Sequence, residues 1–301
     1  MVKIGILGAG AIGLLIGKPL ADKYGHENVF YIADEERAKK YREQGFAING
    51  EEFYPLVRTP KEHTTVDLLV FAVKAVALKD AMIEGDPFRS ENTRILSLMN
   101  GISSERTIAE GYGIDPLLLA VGQEMDATKK GRSLAYQRPG NFSMGERDGS
   151  QSERLRWMRE IFEGAGIDIN SPEDMNHHLW SKFMLNCGIN QVLAVHRKTY
   201  GAAQRGGPLH DEFVAAMEEV CQLGIAEGVK LTQTDIDFWV AVIDRINPEG
   251  MPSMAQDVMN GRPTEVELFA GTAIQLGEKH GIPTPMNQHM YDELKELEKS
   301  R

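Results

Sequence analysis

The sequence predicts an α/β protein in which a doubly wound parallel sheet is followed by an all-helical part. The chain has 301 residues, more than one hydrophobic core usually serves, so two domains are expected. Short apolar runs alternate with helical stretches up to residue 170, which indicates a parallel sheet covered on both faces. Beyond that point, longer apolar-periodic segments replace the short runs. We therefore divide the chain into residues 1–171 and 172–301.

The strands of the first part are predicted from brief apolar runs, each bounded by glycine, proline or charged residues. These runs cover residues 2–7, 29–32, 68–73, 94–98 and 117–121. Helix-forming residues fill segments 14–24 and 35–44 between the first strands. The stretch 134–145, centred on Arg138-Pro139-Gly140-Asn141, predicts a hairpin that adds antiparallel strands at the sheet edge.

The second part is predicted to be helical over residues 173–195, 209–227, 234–246, 263–280 and 288–299. At its start, Ser171 is a candidate N-cap and Pro172 occupies the first helical position. The apolar helices between residues 209 and 246 either cover the core or form the surface of a homodimer. The sequence leaves both uses open.

Composition excludes several classes of partner. The balance of 33 basic and 44 acidic side chains argues against a nucleic-acid backbone but not against an anionic small molecule. No apolar run approaches the roughly 20 residues that span a bilayer, so we expect no membrane partner. Cys187 and Cys221 belong to no CxxC pair, the histidines lack zinc-ligand spacing, and no export signal precedes the first strand. We expect reduced thiols, a cytoplasmic location and no metal.

A glycine-rich segment directly follows the first predicted strand and opens a helix. Gly8 permits the tight turn, Gly10 lets the backbone approach a pyrophosphate, and Gly13 lets helix and strand pack closely. The helix N-terminus also favours the phosphate charge. We therefore predict a Rossmann-type domain rather than a mere glycine-rich turn, with a dinucleotide bound by the whole segment Gly8-Ala9-Gly10-Ala11-Ile12-Gly13.

Asp34 lies 21 residues after Gly13, at the end of the second predicted strand. A carboxylate there accepts hydrogen bonds from the ribose hydroxyls of NAD and repels the 2′-phosphate of NADP, so NAD(H) is favoured over NADP(H). Two alternatives stay open. Asp34 is also a suitable cap for the helix that begins at Glu35, and Arg37 and Lys39 are close enough in sequence to serve NADP(H).

Three polar residues, Lys182, Asn186 and Asn190, recur every four positions in an otherwise apolar helical segment, so they lie on one helix face. We expect this helix to be buried and its polar side chains to need partners, the alternative being an exposed face of an amphipathic helix. Burial lowers the pKa of a lysine toward the working pH, which suits a general acid. In carbonyl reduction, an ammonium group stabilises the negative charge on the substrate oxygen and then protonates it.

Six segments in collinear order carry a family resemblance. They are residues 8–13, Ala72-Val73-Lys74-Ala75, Met99-Asn100-Gly101, the run from Trp180 to Asn190, residues 253–257 and residues 263–267. Together they resemble the ketopantoate reductases (2-dehydropantoate 2-reductases) over essentially the whole chain. The resemblance implies NAD(P)H-dependent reduction of 2-dehydropantoate to (R)-pantoate, a step toward pantothenate and coenzyme A, with a 2-oxo acid as the small-molecule partner.

The resemblance also implies two catalytic residues. Lys182 matches the general acid of the family, and Glu265 matches a glutamate that engages the substrate near its hydroxyl group. Glu265 has a structural alternative, because a carboxylate just after Pro263 is favoured by the dipole in the first turn of a helix.

Further residues match positions that hold the substrate or the cofactor. Asn186, Asn190 and Ser253 match substrate-holding positions, with the Ser253 hydroxyl a donor to the substrate carboxylate. Lys74 and Asn100, at the ends of the third and fourth strands, match residues that face the cofactor and the reacting end of the substrate. The alternatives are a helix cap for Ser253 and a solvated surface residue for Lys74.

The sequence departs from the family pattern twice. Ala33-Asp34 stands where the family commonly has an arginine that binds the NADP phosphate, which points to an NAD-using member. Thr199-Tyr200-Gly201 falls where some members have a further substrate-binding asparagine, so another 2-oxo or hydroxy acid stays open. A non-catalytic dinucleotide sensor is the remaining alternative, but it gives no reason for Lys182 and its polar neighbours.

Overall fold

The computed structural model describes residues 1–299, which divide into two compact units. The first unit comprises residues 1–100 and 104–175, and the second comprises residues 101–103 and those from 176 onward. The boundary predicted after residue 171 lies four residues before Met175, the last residue of the first unit. Within residues 1–299, no helix is long and apolar enough to cross a membrane.

All strands of the described chain belong to the first unit. They are β1 (Ile4–Leu7), β2 (Val29–Ile32), β3 (Phe46–Ile48), β4 (Glu51–Phe53), β5 (Leu56–Arg58), β6 (Leu68–Phe71), β7 (Arg94–Ser97), β8 (Leu117–Gln123), β9 (Thr128–Lys130), β10 (Ser133–Ala135), β11 (Asn141–Gly145) and β12 (Ile169–Asn170). Its helices are α1 (Ala11–Tyr24), α2 (Glu35–Gln44), α3 (Leu78–Gly85), α4 (Ser104–Tyr112) and α5 (Glu153–Gly164), with short 3-10 turns at Ala75–Ala77 and Asp86–Phe88.

The second unit is built from helices, as the sequence predicts. They are α6 (Met175–Leu185), α7 (Gln191–His196), α8 (His210–Ala226), α9 (Gln233–Arg245), α10 (Ser253–Met259), α11 (Thr272–His280) and α12 (Pro285–Lys299). A 3-10 turn covers Tyr200–Ala202. Two π-helical turns, Asn186–Asn190 and Glu267–Gly271, directly precede α7 and α11. Such turns are rare and occur frequently at functional sites.

The main sheet has eight strands in the order β12-β11-β8-β7-β6-β1-β2-β5. The six strands from β8 to β5 in this order are mutually parallel, with β1 paired to β2 on one side and to β6 on the other. The predicted parallel sheet is therefore confirmed. Strand β6 shows why the parallel strands are continuous apolar runs. Leu68 and Val70 pack into one buried core, and Leu69 and Phe71 pack into another on the opposite face of the sheet.

The hairpin predicted over residues 134–145 is wrong, because β10 and β11 belong to different sheets. Strand β11 pairs antiparallel with β8 in the main sheet, whereas β10 pairs with β9 and β3 in a separate four-stranded sheet, β4-β3-β10-β9. The link between β10 and β11 is held by Asp126, whose Oδ1 accepts the N–H groups of Gln137 and Arg138, each at 2.9 Å. The chain thus crosses between sheets instead of turning back.

Two helix starts also differ from the prediction. Ser171 caps no helix, since α6 begins only at Met175 and the buried Ser171 Oγ has no hydrogen-bond partner in the described chain. Residues 262–265 are not helical, so Glu265 precedes the π turn and does not lie in a first helical turn. Thr264 in this segment is held by α12, because its backbone N and Oγ1 both donate to Glu298 Oε1, at 2.8 and 2.7 Å.

Candidate active site

The glycine loop lies between β1 and α1, where the backbone approaches β6 very closely. Gly8 has φ +105°, and a Cβ there would lie 2.5 Å from the carbonyl oxygen of Ala72. A Cβ on Gly13 would lie 2.0 Å from the Gly8 oxygen. By contrast, a Cβ on Gly10 would meet only Ala72 O at 3.7 Å, and no side chain caps the first turn of α1. The loop therefore fits a pyrophosphate group, with open space beside Gly10 and helix N–H groups around it.

Tyr31 is a buried support for this loop that sequence reasoning missed. Its hydroxyl donates to the carbonyl oxygen of Gly13 at 2.8 Å, and a Cβ on Gly17 would lie 2.0 Å from the same hydroxyl. Burial raises the pKa of Tyr31 far above its usual value, so the phenol stays protonated and keeps donating. From the sequence, Tyr31 is predicted only to be a core residue of a strand. Its hydrogen bond to Gly13 is not predictable from the local sequence, because the two residues are 18 positions apart.

Asp34 lies at the end of β2 and forms a charged cluster with two other residues. Its Oδ1 accepts the N–H of Arg37 at 2.7 Å and its Oδ2 accepts Arg37 Nε at 2.7 Å, so Asp34 does cap α2. Arg37 also pairs through Nη2 with Glu84 on α3. The Arg37 backbone N–H is the main cause that lowers the pKa of Asp34, which therefore stays ionised. Two carboxylates thus hold one guanidinium group, and the cluster is net negative.

Lys74 and Asn100 follow neighbouring strands of the main sheet. Lys74 is exposed and precedes the 3-10 turn after β6, while Asn100 is half-buried and comes three residues after the end of β7. Strands β1, β6 and β7 are adjacent and parallel, so the residues that follow them lie along the same edge of the sheet. The first unit therefore collects the glycine loop, Lys74 and Asn100 at its carboxyl edge, where ligands of such sheets bind.

Lys182 lies half-buried on α6 in the second unit, near Glu265. Desolvation lowers the pKa of Lys182 from 10.5 to about 8, while the nearby carboxylate of Glu265 opposes this by raising it. His178, one turn earlier, has its pKa lowered chiefly by burial, and further by His177 and Lys182. As the sequence predicts, Lys182 has a lowered pKa and is poised to exchange a proton near neutral pH.

A hydrogen-bonded chain connects the other polar residues of the second unit. Asn190 Nδ2 donates to Asn186 Oδ1 at 2.9 Å, and both asparagines are buried. The Oδ1 atom of Asn190 accepts the Ser253 hydroxyl at 3.2 Å and the backbone N–H of Met254 at 3.3 Å. Pro252, rather than Ser253, occupies the N-cap position of α10, so the capping alternative for Ser253 is wrong. The exposed Ser253 thus extends a buried amide chain to the surface of the second unit.

This arrangement supports acid-base chemistry on a small polar substrate in the second unit. It offers a lysine that titrates near pH 8, an adjacent carboxylate and three hydrogen-bonding side chains connected to one another. Among residues 1–299, no group of three or more His, Cys, Asp or Glu side chains is placed to hold a metal ion.

The sequence matches family models over most of its length. The model "Ketopantoate reductase PanE/ApbA" matches residues 4–149, and "Ketopantoate reductase PanE/ApbA C terminal" matches residues 174–298. The chain is 27% identical to the 2-dehydropantoate 2-reductase of Vibrio cholerae over 78% of either chain, and 26% identical to that of Pyrococcus horikoshii over 95% of this chain and 94% of the relative. The crystal structure of a ketopantoate reductase from Ralstonia eutropha superposes with a TM-score of 0.86 at 25% identity, covering 99% of both chains.

Proposed function

Since the chain belongs to the ketopantoate reductase family, whose members bind NAD(P)H, we propose that it reduces 2-dehydropantoate to (R)-pantoate with NADH as the preferred reductant. The chain is an oxidoreductase of this type. The observation that carries the proposal is the pairing of Lys182, whose pKa is about 8, with Glu265 in a helical unit that also presents a hydrogen-bonding chain to its surface.

The first unit provides the residues for the dinucleotide. The loop from Gly8 to Gly13 would hold the pyrophosphate, Asp34 the adenine-side ribose, and Lys74 and Asn100 the nicotinamide end. When bound, NADH supplies the hydride that adds to C2 of the keto acid. Arg37 is engaged by Asp34 and Glu84, which disfavours its use as a receptor for the 2′-phosphate of NADPH.

The second unit provides the proton. As C2 gains the hydride, the carbonyl oxygen becomes negatively charged, and the ammonium group of Lys182 stabilises that charge. A proton then passes from Lys182 Nζ to the oxygen, which leaves the product hydroxyl and a neutral amine that water reprotonates. A lysine with an ordinary pKa near 10.4 holds its proton more tightly, so the lowered pKa favours the transfer.

The remaining polar residues orient the substrate. Glu265 accepts a hydrogen bond from the hydroxyl group of 2-dehydropantoate. The Ser253 hydroxyl turns its one proton from Asn190 Oδ1 to the substrate carboxylate. Asn190 stays held by Asn186 and by the backbone N–H of Met254, so the amide chain beside Ser253 is preorganised. Preorganised donors reduce the entropy that a bound substrate has to lose before reaction.

Initial rates with NADH and NADPH test the proposal, using 2-dehydropantoate and a panel of other 2-oxo acids. We expect 2-dehydropantoate to have the highest kcat/KM in the panel and NADH to exceed NADPH. No turnover of 2-dehydropantoate with either cofactor rejects the substrate, whereas a clear NADPH preference rejects only the role of Asp34.

One specific observation favours a second candidate substrate class. The 3-10 turn Tyr200–Ala202 lies where some family members have a substrate-binding asparagine, and its Tyr200 and Gly201 N–H groups are taken by the carbonyls of Gly250 and Pro248. A 2-oxo acid with a less polar side chain is therefore the alternative substrate. The same panel distinguishes the two, because an apolar 2-oxo acid then has the higher kcat/KM.

We also infer a cytoplasmic homodimer. Cys187 and Cys221 are free thiols, which fits a reducing compartment. Helices α8 and α9 bury Phe213 and Ile236 but leave Ile225 48% and Phe238 56% exposed, so these helices both cover the core and offer an apolar surface. Light scattering should give about twice the chain mass of 33.5 kDa, and a mass of one chain contradicts the dimer.

A further inference from the structure

Gln191, the first residue of α7, uses its whole carboxamide in three buried hydrogen bonds. Its Nε2 donates to the carbonyl oxygen of Cys187 at 2.8 Å and to Asn287 Oδ1 at 3.1 Å. Its Oε1 accepts the backbone N–H of Ala270 at 2.8 Å. Gln191 is 0% exposed, so these three hydrogen bonds are shielded from water. One amide therefore contacts three separate segments of the second unit.

Gln191 supplies the acceptor for the backbone N–H of Ala270, which has no backbone acceptor within the π turn. In an α-helix, the N–H of Ala270 would donate to the carbonyl of Val266, four residues earlier. Here the Val266 carbonyl accepts the N–H of Gly271 at 3.0 Å instead, in the five-residue pattern of a π turn. Ala270 is fully buried, and a buried N–H without an acceptor is costly. Gln191 thus stabilises the turn Glu267–Gly271 in its π form.

The bond to Cys187 reaches the other π turn, Asn186–Asn190. Each π turn closely follows one of the two proposed catalytic residues, because Asn186 comes four residues after Lys182 and Glu267 comes two residues after Glu265. The backbone oxygen of Glu265 is itself tied to the second turn, as it accepts the N–H groups of Leu268 and Phe269 at 2.9 and 3.2 Å. Gln191 is therefore a direct bridge between the segments that carry Lys182 and Glu265.

The orientation of the Gln191 amide is fixed by a further buried residue. Asn287 Nδ2 donates to Glu219 Oε2 at 2.8 Å and to the Ala216 carbonyl at 3.3 Å. Asn287 must therefore present its Oδ1 to Gln191, which in turn must present Nε2 to Asn287 and Oε1 to Ala270. The polar network admits one arrangement, so the bridge between the two π turns has a defined geometry.

From these contacts we infer that Gln191 is a positioning residue, whose carboxamide fixes the separation of Lys182 and Glu265 by tying the two π turns together. This inference rests on the proposed role of Lys182 as the proton donor. Misplacing a catalytic group by about 1 Å lowers the rate by as much as roughly 100-fold, so a fixed separation has a direct effect on turnover. Glu265 opposes the fall in the pKa of Lys182, and Lys182 in turn contributes to the lowered pKa of His178.

The test is Gln191→Met, which keeps the side-chain length and removes all three hydrogen bonds. The rate of reduction is measured against pH with saturating NADH and 2-dehydropantoate. We expect kcat to fall by roughly 10- to 100-fold, the KM for NADH to stay unchanged, and the decline of kcat at high pH to begin at a lower pH. The shift follows because a loosened Glu265 raises the pKa of Lys182 less.

Gln204→Met is the matched control. Gln204 is a half-buried glutamine in the same unit whose Nε2 donates to the carbonyls of Ile243 and Ile246, at 3.0 and 2.9 Å, outside both π turns. We expect it to lower the melting temperature without changing kcat or its pH dependence. A Gln191→Met variant that only melts earlier, or that loses activity with its pH profile unmoved, overturns the inference.

Three other variants keep the outcome decisive. If Gln191→Met does not fold, Asn287→Ala takes its place, because it removes only one hydrogen-bond acceptor of Gln191. We expect it to shift the pH profile in the same direction but by less. An unmoved profile then overturns the inference. Glu265→Gln should also move the decline to lower pH. If Lys182→Ala leaves the decline in place, the proposed proton donor is wrong; if Lys182→Ala removes it while Gln191→Met leaves it unmoved, only the role of Gln191 is wrong.

Discussion

Lys182 is the single residue on which the proposed chemistry most depends. Its replacement by alanine removes the proton donor and the charge that stabilises the developing alkoxide. We expect kcat to fall by about 10²- to 10⁴-fold. Steady-state rates measure this, with Lys230→Ala as the control, because Lys230 is an exposed lysine of the same unit. A Lys182→Ala rate within about twofold of the parent rate would assign Lys182 to structure rather than catalysis.

In the proposed function, Glu84 influences the cofactor preference through its pair with Arg37. It pairs with Arg37, and its replacement by glutamine in Glu84→Gln removes one of the two carboxylates that hold the guanidinium group. Arg37 is then freer to bind a 2′-phosphate, and a charge-assisted hydrogen bond is worth about 1.5–3 kcal/mol. We expect kcat/KM with NADPH to rise by roughly 10-fold or more relative to NADH.

Asp80→Asn provides the comparison for this change, because it removes one carboxylate charge from an exposed position of α3, one turn before Glu84. An equal rise in both variants indicates a general charge effect. No rise in Glu84→Gln contradicts the account of Arg37.

Contacts between site residues that are close in sequence were predictable, and contacts between site residues that are far apart in sequence were not. The spacing of Lys182, Asn186 and Asn190 predicts one polar face, and the burial of the two asparagines followed from the apolar residues between them. The link from Asn190 to Ser253 spans 63 residues, and the pair of Arg37 with Glu84 spans 47. No local pattern encodes a contact of that kind, so the family resemblance alone pointed to Ser253.

At the scale of elements, the turn from β1 into α1 has the least tolerance for change. A Cβ introduced by Gly13→Ala would lie 2.0 Å from the Gly8 carbonyl oxygen, which is backbone and cannot move aside without displacing the loop. We expect NADH binding, measured by fluorescence titration, to weaken by at least about 100-fold because the phosphate cradle is lost.

Gly111→Ala is the corresponding control on α4. There the added Cβ meets only the flexible end of Met82, so folding and NADH binding should be retained. Unchanged NADH affinity in Gly13→Ala would place the cofactor elsewhere.

Helix α4 carries a buried carboxyl group that makes stability depend on pH. Glu105 is 3% exposed, its Oε1 has no hydrogen-bond partner in the described chain, and burial raises its pKa to about 7. Between the ordinary pKa of 4.5 and about 7, the folded state therefore binds more protons than the unfolded state, so stability falls as pH rises through this range. The full cost above pH 7 is about 3 kcal/mol.

Glu105→Gln removes the titrating group and should raise the free energy of unfolding at pH 8 by about 1–3 kcal/mol, with little change at pH 4.5. Urea unfolding at the two pH values measures the difference. Glu110→Gln, at an exposed position of the same helix, should change neither value. A gain for Glu105→Gln that is equal at both pH values contradicts the assignment.

Apolar patterning predicted β1, β2, β6, β7 and β8 and the long helices of the second unit, and it missed the three-residue strands and α5. The second helix was predicted at its observed bounds, Glu35–Gln44, because a capping residue precedes it and a glycine follows it. The three-residue strands β3, β4 and β9 are too short to show alternation, so the second sheet was missed. The segment before the second π turn also has a contact that no local pattern encodes, because Thr264 donates to Glu298, 34 residues away.

For the whole molecule, the net charge of −11 limits how an anionic ligand can be bound. Both proposed ligands are anions, so an acidic protein has to bind them through local features. The first unit offers the N-terminus of α1 and Lys74, and the second offers Lys182. The division of the chain into a sheet unit and a helical unit was predictable from the change in sequence character, because strands and long helices have different apolar periods.

The pH dependence of kcat for NADH-driven reduction of 2-dehydropantoate tests the central claim most directly. In the proposed mechanism, reduction requires the ammonium form of Lys182, whose pKa is about 8. We predict measurable turnover, a plateau of kcat below about pH 8 and a fall of about tenfold per pH unit above it. An absence of turnover, or a rate that stays constant from pH 6 to pH 10, would contradict the account.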